Sequence, residues 1–142
     1  MKTIRHILDA KGYDVVSVQG DESVFNAVKL MAEKNVGALA VLDGARLVGI
    51  VSERDCARKV ILQGLMPRST RVAEIMTSPV VCARPGQTVH ECLELISEKR
   101  IRHLPVLDGE ALIGMISIGN LVKAITDEQK FVIGQLESYI SG

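Results

Sequence analysis

Three short strings hold the residue types that could do chemistry. Ser52-Glu53-Arg54-Asp55 sets an acid three residues after a serine, and Ser117-Ile118-Gly119-Asn120 sets an amide at the same spacing. A serine followed at that distance by an acid is the capping pattern of a helix start. The same arrangement has ligand chemistry. A helix start presents free N–H groups that suit an anion, and a carboxylate accepts two hydrogen bonds from a pair of vicinal hydroxyls. The third string, Arg100-Ile101-Arg102-His103, stands before an apolar, β-rich run. A guanidinium there can grip two phosphate oxygens at once. The plainer reading of this string is a solvated helix end, where Lys99 and Arg100 favour the dipole. Arg54, Arg58 and Lys59 form a basic stripe, either a solvated face or, in the sharper reading, one from which Arg54 reaches a phosphate.

Catalytic chemistry finds no comparable footing. There is no nucleophile–base triad, no pair of carboxylates in a shared motif, and no metal-ligand spacing among His6, His90 and His103. No G-x-G-x-x-G or P-loop pattern occurs. The expectation is a protein that is not an enzyme, with no catalytic and no metal-binding residues. Cys56, Cys82 and Cys92 form no C-x-x-C pair and read as small buried hydrophobes. Seventeen Lys and Arg balance seventeen Asp and Glu, and aromatics are 3%. Neither a basic excess nor stacking residues are present, so no nucleic-acid partner is expected. No apolar run approaches the roughly 20 residues that span a bilayer, and the opening MKTIRHILDAKG lacks a signal-peptide stretch. The expectation is a cytoplasmic chain with no membrane partner.

The elements that must position these strings are written twice. Residues 36 to 52 read VGALAVLDGARLVGIVS and residues 101 to 117 read IRHLPVLDGEALIGMIS, 65 positions later. The register runs without a gap from Val15 and Val80 to Cys56 and Leu121, with 14 identities in 42 positions. Average residue usage would give about two or three. Each copy reads as strand, helix, strand, strand, helix. In the first, Asp14 to Val18 is a strand. A helix then starts at Asp21-Glu22-Ser23, with Val24, Ala27, Val28, Met31 and Ala32 on one face. Asp43-Gly44 turns a hairpin between Val36–Leu42 and Leu47–Val51. In the second copy, Val80-Val81 is the strand and residues 87 to 99 the helix. Asp108-Gly109 turns the hairpin between His103–Leu107 and Leu112–Ile116. Ile4, Ile7 and Leu8 echo Val72, Ile75 and Met76 ahead of each repeat. Residues 64 to 70 form a connector, and Thr126 to Ile140 an amphipathic helix whose apolar face must pack on the pair or on another subunit. The fold class is α/β, divided as residues 1–64, 65–127 and a tail at 128–142. A pair of like units makes clefts in which small ligands tend to sit.

The β-α-β-β-α repeat, the R-I-R-H-L-P-V-L-D string at 100 to 108, the G-h-h-S-x-x-D string at Gly49 to Asp55 and the V-x-x-I-M string at Val72 to Met76 resemble a tandem pair of cystathionine-β-synthase (CBS) domains. The resemblance covers residues 1 to about 127. It implies two pseudo-twofold-related repeats in one module with an extra C-terminal helix, and dimerisation. It also implies an adenosine-containing ligand (AMP, ADP, ATP, S-adenosylmethionine or NAD) and an unknown regulated protein. With no room for a catalytic domain, a stand-alone sensor is expected, its alternative being a ligand-free dimerising scaffold.

By the same resemblance Asp55 holds the ribose while Ser52 faces phosphate. Ser117 and Asn120 repeat these roles more weakly, since asparagine has no charge and one fewer acceptor oxygen. Arg102 and His103 contact phosphate, and each site draws its ribose group from one repeat and its phosphate ligands from the other. One site would join Ser52 and Asp55 to Arg102 and His103. The other would join Ser117 and Asn120 to neutral Gly37 and Ala38 and bind less tightly. Val16 and Val81, with Ile50 and Ile116, would form the adenine slot, ordinary core being the other reading for Ile50 and Ile116.

Overall fold

The computed structural model describes residues 2–141; Met1 and Gly142, the ends of the ranges above, lie outside them. The chain divides into two units. One holds Asp14–Val81 with Gly109–Ile113; the other holds the N-terminal stretch through Tyr13, Cys82–Asp108, and the chain from Gly114 onward. They are called the first-repeat and second-repeat units below.

In the first-repeat unit, strand β1 (Ser17–Gln19) leads into helix α2 (Val24–Lys34), followed by β2 (Ala38–Asp43) and β3 (Arg46–Ser52). The preceding helix α1 (Ile4–Lys11) belongs to the other unit. Strand β1 lies parallel to β2, as a crossover through α2 requires, and β2 pairs antiparallel with β3. The hairpin turns at Gly44, whose φ of +65° suits a residue without Cβ. Gln19 clamps that turn from outside, donating through Nε2 to the Gly44 carbonyl and accepting the Gly44 N–H on Oε1. The strand expected at 14–18 is thus displaced to Ser17–Gln19, where it meets Ala40, Val41 and Leu42.

Helix α2 begins where Ser23 accepts the Asn26 N–H, an N-cap that satisfies one of the free donors of the first turn. It buries Val24, Ala27 and Met31. Val28 is 41% exposed and Ala32 is exposed as well, so the buried face is narrower than the apolar stripe suggests. Helix α3 (Glu53–Cys56) continues into a π-type turn at Ala57–Ile61. After a short 3₁₀ turn at Pro67–Ser69, helix α4 (Val72–Ile75) returns to the unit's core. That core is aliphatic: Val24, Ala27, Met31, Leu39, Val41, Val51, Val60, Val72 and Ile75, with Cys56. Arg68 stacks its guanidinium 3.7 Å from the Phe25 ring centre, pinning the connector to α2.

The second-repeat unit has α1 at its start, then α5 (Val89–Lys99) and β4 (His103–Asp108). Strand β5 (Ala111–Ser117) pairs with β4 and leads into α6 (Ile118–Ser141). Thr88 caps α5 as Ser23 caps α2. Asn35 and Arg100, in matching register, both take the left-handed cap at φ 54°. The strand expected at Val80-Val81 does not form. What remains is one parallel bridge between Ala83 and Val106, at the register position of Val18 and Val41. The cause is Pro105. It stands where Ala40 stands in the first repeat, and Ala40 N–H donates to the Val16 carbonyl; proline has no such donor.

Helix α6 runs unbroken from the repeat through the tail. Its Phe131, Ile133, Leu136 and Ile140 are 53–82% exposed, so among the described residues the tail's apolar face is largely uncovered rather than packed on the pair. Among the described residues no helix is long and apolar enough to cross a membrane.

Candidate functional site

Each unit carries one helix start at the end of its hairpin, and these hold the serine-plus-acid and serine-plus-amide strings. In the first-repeat unit, Ser52 ends β3 and caps α3. Its hydroxyl accepts the Asp55 N–H at 3.1 Å, and the Asp55 carboxylate reaches back through Oδ2 to Ser52 N–H at 3.0 Å and Ser52 Oγ at 3.1 Å. Glu53 N–H donates to the Gly37 carbonyl, fixing the helix entry against β2. The other oxygen, Oδ1, lies 3.2 Å from Lys59 Nζ. Lys59 Nζ also donates to the carbonyl of Ile75, the last residue of α4, at 3.0 Å. The Asp55 side chain is only 18% exposed. A carboxylate has about four lone-pair positions. Three are taken by these partners, which leaves one acceptor position, on Oδ1.

In the second-repeat unit, Ser117 ends β5 and its hydroxyl accepts the Asn120 N–H at 3.1 Å, while Asn120 Oδ1 accepts Ser117 N–H at 2.9 Å. The cap is the same, but its second partner is not. Asn120 Oδ1 also accepts Lys11 Nζ at 3.0 Å, from the last residue of α1. Gly12, at φ +110°, ends α1 immediately after Lys11. Lys11 Nζ further donates to the Met115 carbonyl. With Oδ1 doubly bonded, the amide's remaining polar atom is Nδ2, a donor. Burial holds the Lys11 ammonium below the ordinary lysine range.

The two return strands match position by position. Ile50 and Met115 occupy the half-buried outward position; Val51 and Ile116 are wholly buried. In the first-repeat unit the Ile50 carbonyl accepts Thr77 N–H at 2.8 Å. In the other unit the corresponding Met115 carbonyl takes the Lys11 ammonium. Ile116 therefore lies in its unit's core, and the outward residue of that strand is Met115.

The remaining sequence candidates fall as follows. Val16 and Arg54 belong to the first-repeat unit, Val16 half-buried and Arg54 exposed beside Asp55 on α3. Val81, half-buried, is the last residue of that unit. Arg102 is exposed, and its carbonyl accepts Ile118 N–H at 2.9 Å, tying the α6 start to the head of β4; His103 is half-buried as the first residue of β4. Thus the structure brings Ser52 and Asp55 together, and Ser117 and Asn120 together. Sequence reasoning missed Lys59 as Asp55's partner, Lys11 and Met115. The 65-residue register would have found Met115. No local spacing points to Lys11, which is 109 positions from Asn120. Among the described residues no group of three or more His, Cys, Asp and Glu is placed to hold a metal ion.

This geometry has relatives. The CBS domain signature matches residues 4–62 and 72–127. The mitochondrial CBS domain-containing protein CBSX3 of Arabidopsis thaliana is 40% identical over 127 residues, which are 86% of this chain and 62% of the relative; the chain thus spans less than two thirds of that protein's length. A solved structure from Burkholderia ambifaria MC40-6, of a CBS-domain protein proposed to act in signal transduction, is 50% identical, with a TM-score of 0.87 over 90% of this chain and 96% of that one. A hexameric CBS-CP12 protein from bloom-forming cyanobacteria is 35% identical, with a TM-score of 0.78 over 86% of this chain and 70% of that one.

Proposed function

The chain belongs to the CBS-domain family, and from that premise we infer that it is a regulatory, signal-transducing CBS pair that binds an adenosine-containing ligand such as AMP, ADP, ATP or NAD. It answers the ligand with a change of conformation or self-association. The observation that carries this reading is the Ser52–Asp55 arrangement. A largely buried carboxylate is held rigid by its own helix cap, yet keeps acceptor capacity on Oδ1. A ribose hydroxyl is a donor of the kind that this remaining position accepts. Ser117 and Asn120 form the second, weaker ribose-holding pair, because Asn120 has spent its oxygen on Ser117 and Lys11. In this reading Arg102 and His103 serve phosphate, Arg54 a further phosphate, and Val16, Val81, Ile50 and Ile116 the adenine.

A thermal-shift panel on nucleotide-free protein tests it, with AMP, ADP, ATP, NAD and S-adenosylmethionine against GMP. A ligand that binds only the folded state at a hundredfold excess over Kd raises the melting temperature by roughly 5–10 °C. A rise with adenosine ligands and none with GMP supports the reading; no rise with any ligand removes it. A second reading, a dimerising scaffold without ligand, draws on the exposed Phe131, Ile133, Leu136 and Ile140 of α6. It predicts a dimer by light scattering whose mass is the same with and without nucleotide.

A further inference from the structure

A cleft of about 170 Å³ opens in the second-repeat unit between α1 and α6, edged by Lys2, His6, Lys11, Asn120, Lys123 and Asp127. The repeats differ here in several ways: α1 runs 8 residues against 4 for α4, and α3 passes into a π-type turn where α6 stays α-helical. In register, Ala124 replaces Lys59. In the first-repeat unit the Lys59 side chain spans from Asp55 to the Ile75 carbonyl of α4. In the second-repeat unit the methyl of Ala124 floors the cleft, and the ammonium comes from the other wall as Lys11.

The walls are strongly one-signed. Lys2, Lys11 and Lys123 supply three positive charges against the single carboxylate of Asp127. His6 adds a donor. Its Nδ1 accepts Thr3 N–H at 3.0 Å, which leaves the neutral ring's proton on Nε2. Asn120 contributes the amide Nδ2. The lining therefore offers a net charge near +2 and N–H donors from two helices, in a space far larger than the roughly 30 Å³ share of one water. An occupant that complements it carries about two negative charges and several acceptor oxygens.

We propose that the α1/α6 cleft of the second-repeat unit is a binding site for a phosphate-type dianion, either free inorganic phosphate or the phosphate group of a phosphorylated metabolite. Lys11 and Lys123 are its principal cations and His6 and Asn120 its neutral donors. Of the lining residues Asn120 alone also enters the nucleotide reading; Lys2, His6, Lys11 and Lys123 do not, and they carry the site without it. Burial already disfavours the Lys11 ammonium, and an anion beside it would reverse that penalty.

The test is amide-resolved NMR on the full chain at pH 7, titrated with sodium phosphate against sodium chloride of equal ionic strength, and separately with AMP and with adenosine. Saturable shifts at Lys2, His6, Lys11, Asn120 and Lys123 with phosphate, and none with chloride, are expected. Lys11→Gln and Lys123→Gln should each weaken phosphate binding about tenfold, as loss of one charge-assisted hydrogen bond does. Lys130→Gln, farther along α6, should not change it. Equal or stronger response to phosphate than to AMP marks a free-anion site; a much tighter AMP response at Lys2, His6, Lys11 and Lys123, beyond any at Asn120, marks a phosphorylated metabolite. Phosphate shifts that fail to saturate, or survive Lys11→Gln and Lys123→Gln unchanged, overturn the proposal. If adenosine still moves Ser52 and Asp55 in that case, the nucleotide reading survives it.

Discussion

The two repeats build the same helix cap at the same strand end and then wire it differently. In the first, Asp55 is charged and its counter-ion, Lys59, comes from the next turn of its own helix. The neighbouring strand carbonyl, Ile50, is closed by a backbone N–H from Thr77. In the second, Asn120 is neutral, and one borrowed ammonium, Lys11, serves both the cap and the strand carbonyl of Met115. A local, charged arrangement has been exchanged for a neutral one that depends on the N-terminal helix. Duplicated sequence thus preserves backbone geometry more faithfully than it preserves the chemistry offered to a ligand.

The largest expected effect is one the repeats share. Burial pushes the thiols of Cys56 and Cys92, one in each unit, up to about 11 from about 9, with nearby acids adding to the shift. Each thiol is harder to ionise folded than unfolded. Raising the pH from about 9 to about 11 therefore releases protons from the unfolded chain first and draws the equilibrium toward it. Stability should fall by up to ~1.4 kcal/mol per pH unit per thiol in that window, and not below it. Urea melts of wild type, Cys56→Ala and Cys92→Ala across this range check it. Each substitution should flatten the slope, with the thiol of Cys82, which burial also raises, contributing to what remains; an unchanged slope would show that the thiols do not carry it.

Next comes a contrast in packing. A Cβ on Gly114 would lie 2.5 Å from Leu8 Cδ2, and one on Gly49 2.3 Å from Met76 Sδ. The second clash is nominally closer, yet Met76 is unbranched and half-exposed while Leu8 is branched and wholly buried. Gly114→Ala should therefore cost ~2–3 kcal/mol and Gly49→Ala ~1 kcal/mol. Denaturant midpoints at constant m-value would show this; equal costs would mean that both units yield alike.

A smaller effect exchanges the wiring itself. Asp55→Asn removes the carboxylate from Lys59 and should cost ~1 kcal/mol, because the pair is partly screened by solvent. Asn120→Asp gives Lys11 a carboxylate and should gain ~0.5 kcal/mol. Both effects should shrink at about 1 M salt, where the screening length is about 3 Å. Loss of stability from Asn120→Asp at low salt would contradict the Lys11–Asn120 contact.

Much of this was legible beforehand. The 65-residue register announced the repeat, Asp43-Gly44 and Asp108-Gly109 announced the hairpins, and Ser52 and Ser117 announced the helix starts, because each rests on local backbone chemistry. The second repeat's first strand was misread because its pairing depends on a donor in another segment, which Pro105 removes. The tail was readable as a helix but not as the continuation of α6, since periodicity does not say where one helix ends and the next begins. Lys11 and Lys59 escaped because their partners are set by how helices pack. A basic side chain on a helix looks equally solvated in sequence whether or not a carbonyl waits for it.

We propose that the chain holds an adenosine ligand unequally, through Asp55 more than through Asn120. Isothermal titration of wild type, Asp55→Ala and Asn120→Ala with AMP tests it most directly. The expected result is a loss of affinity at least about tenfold greater for Asp55→Ala than for Asn120→Ala, the scale of losing a charge-assisted rather than a neutral hydrogen bond. Equal losses in the two variants, or no AMP binding by the wild type, would contradict it.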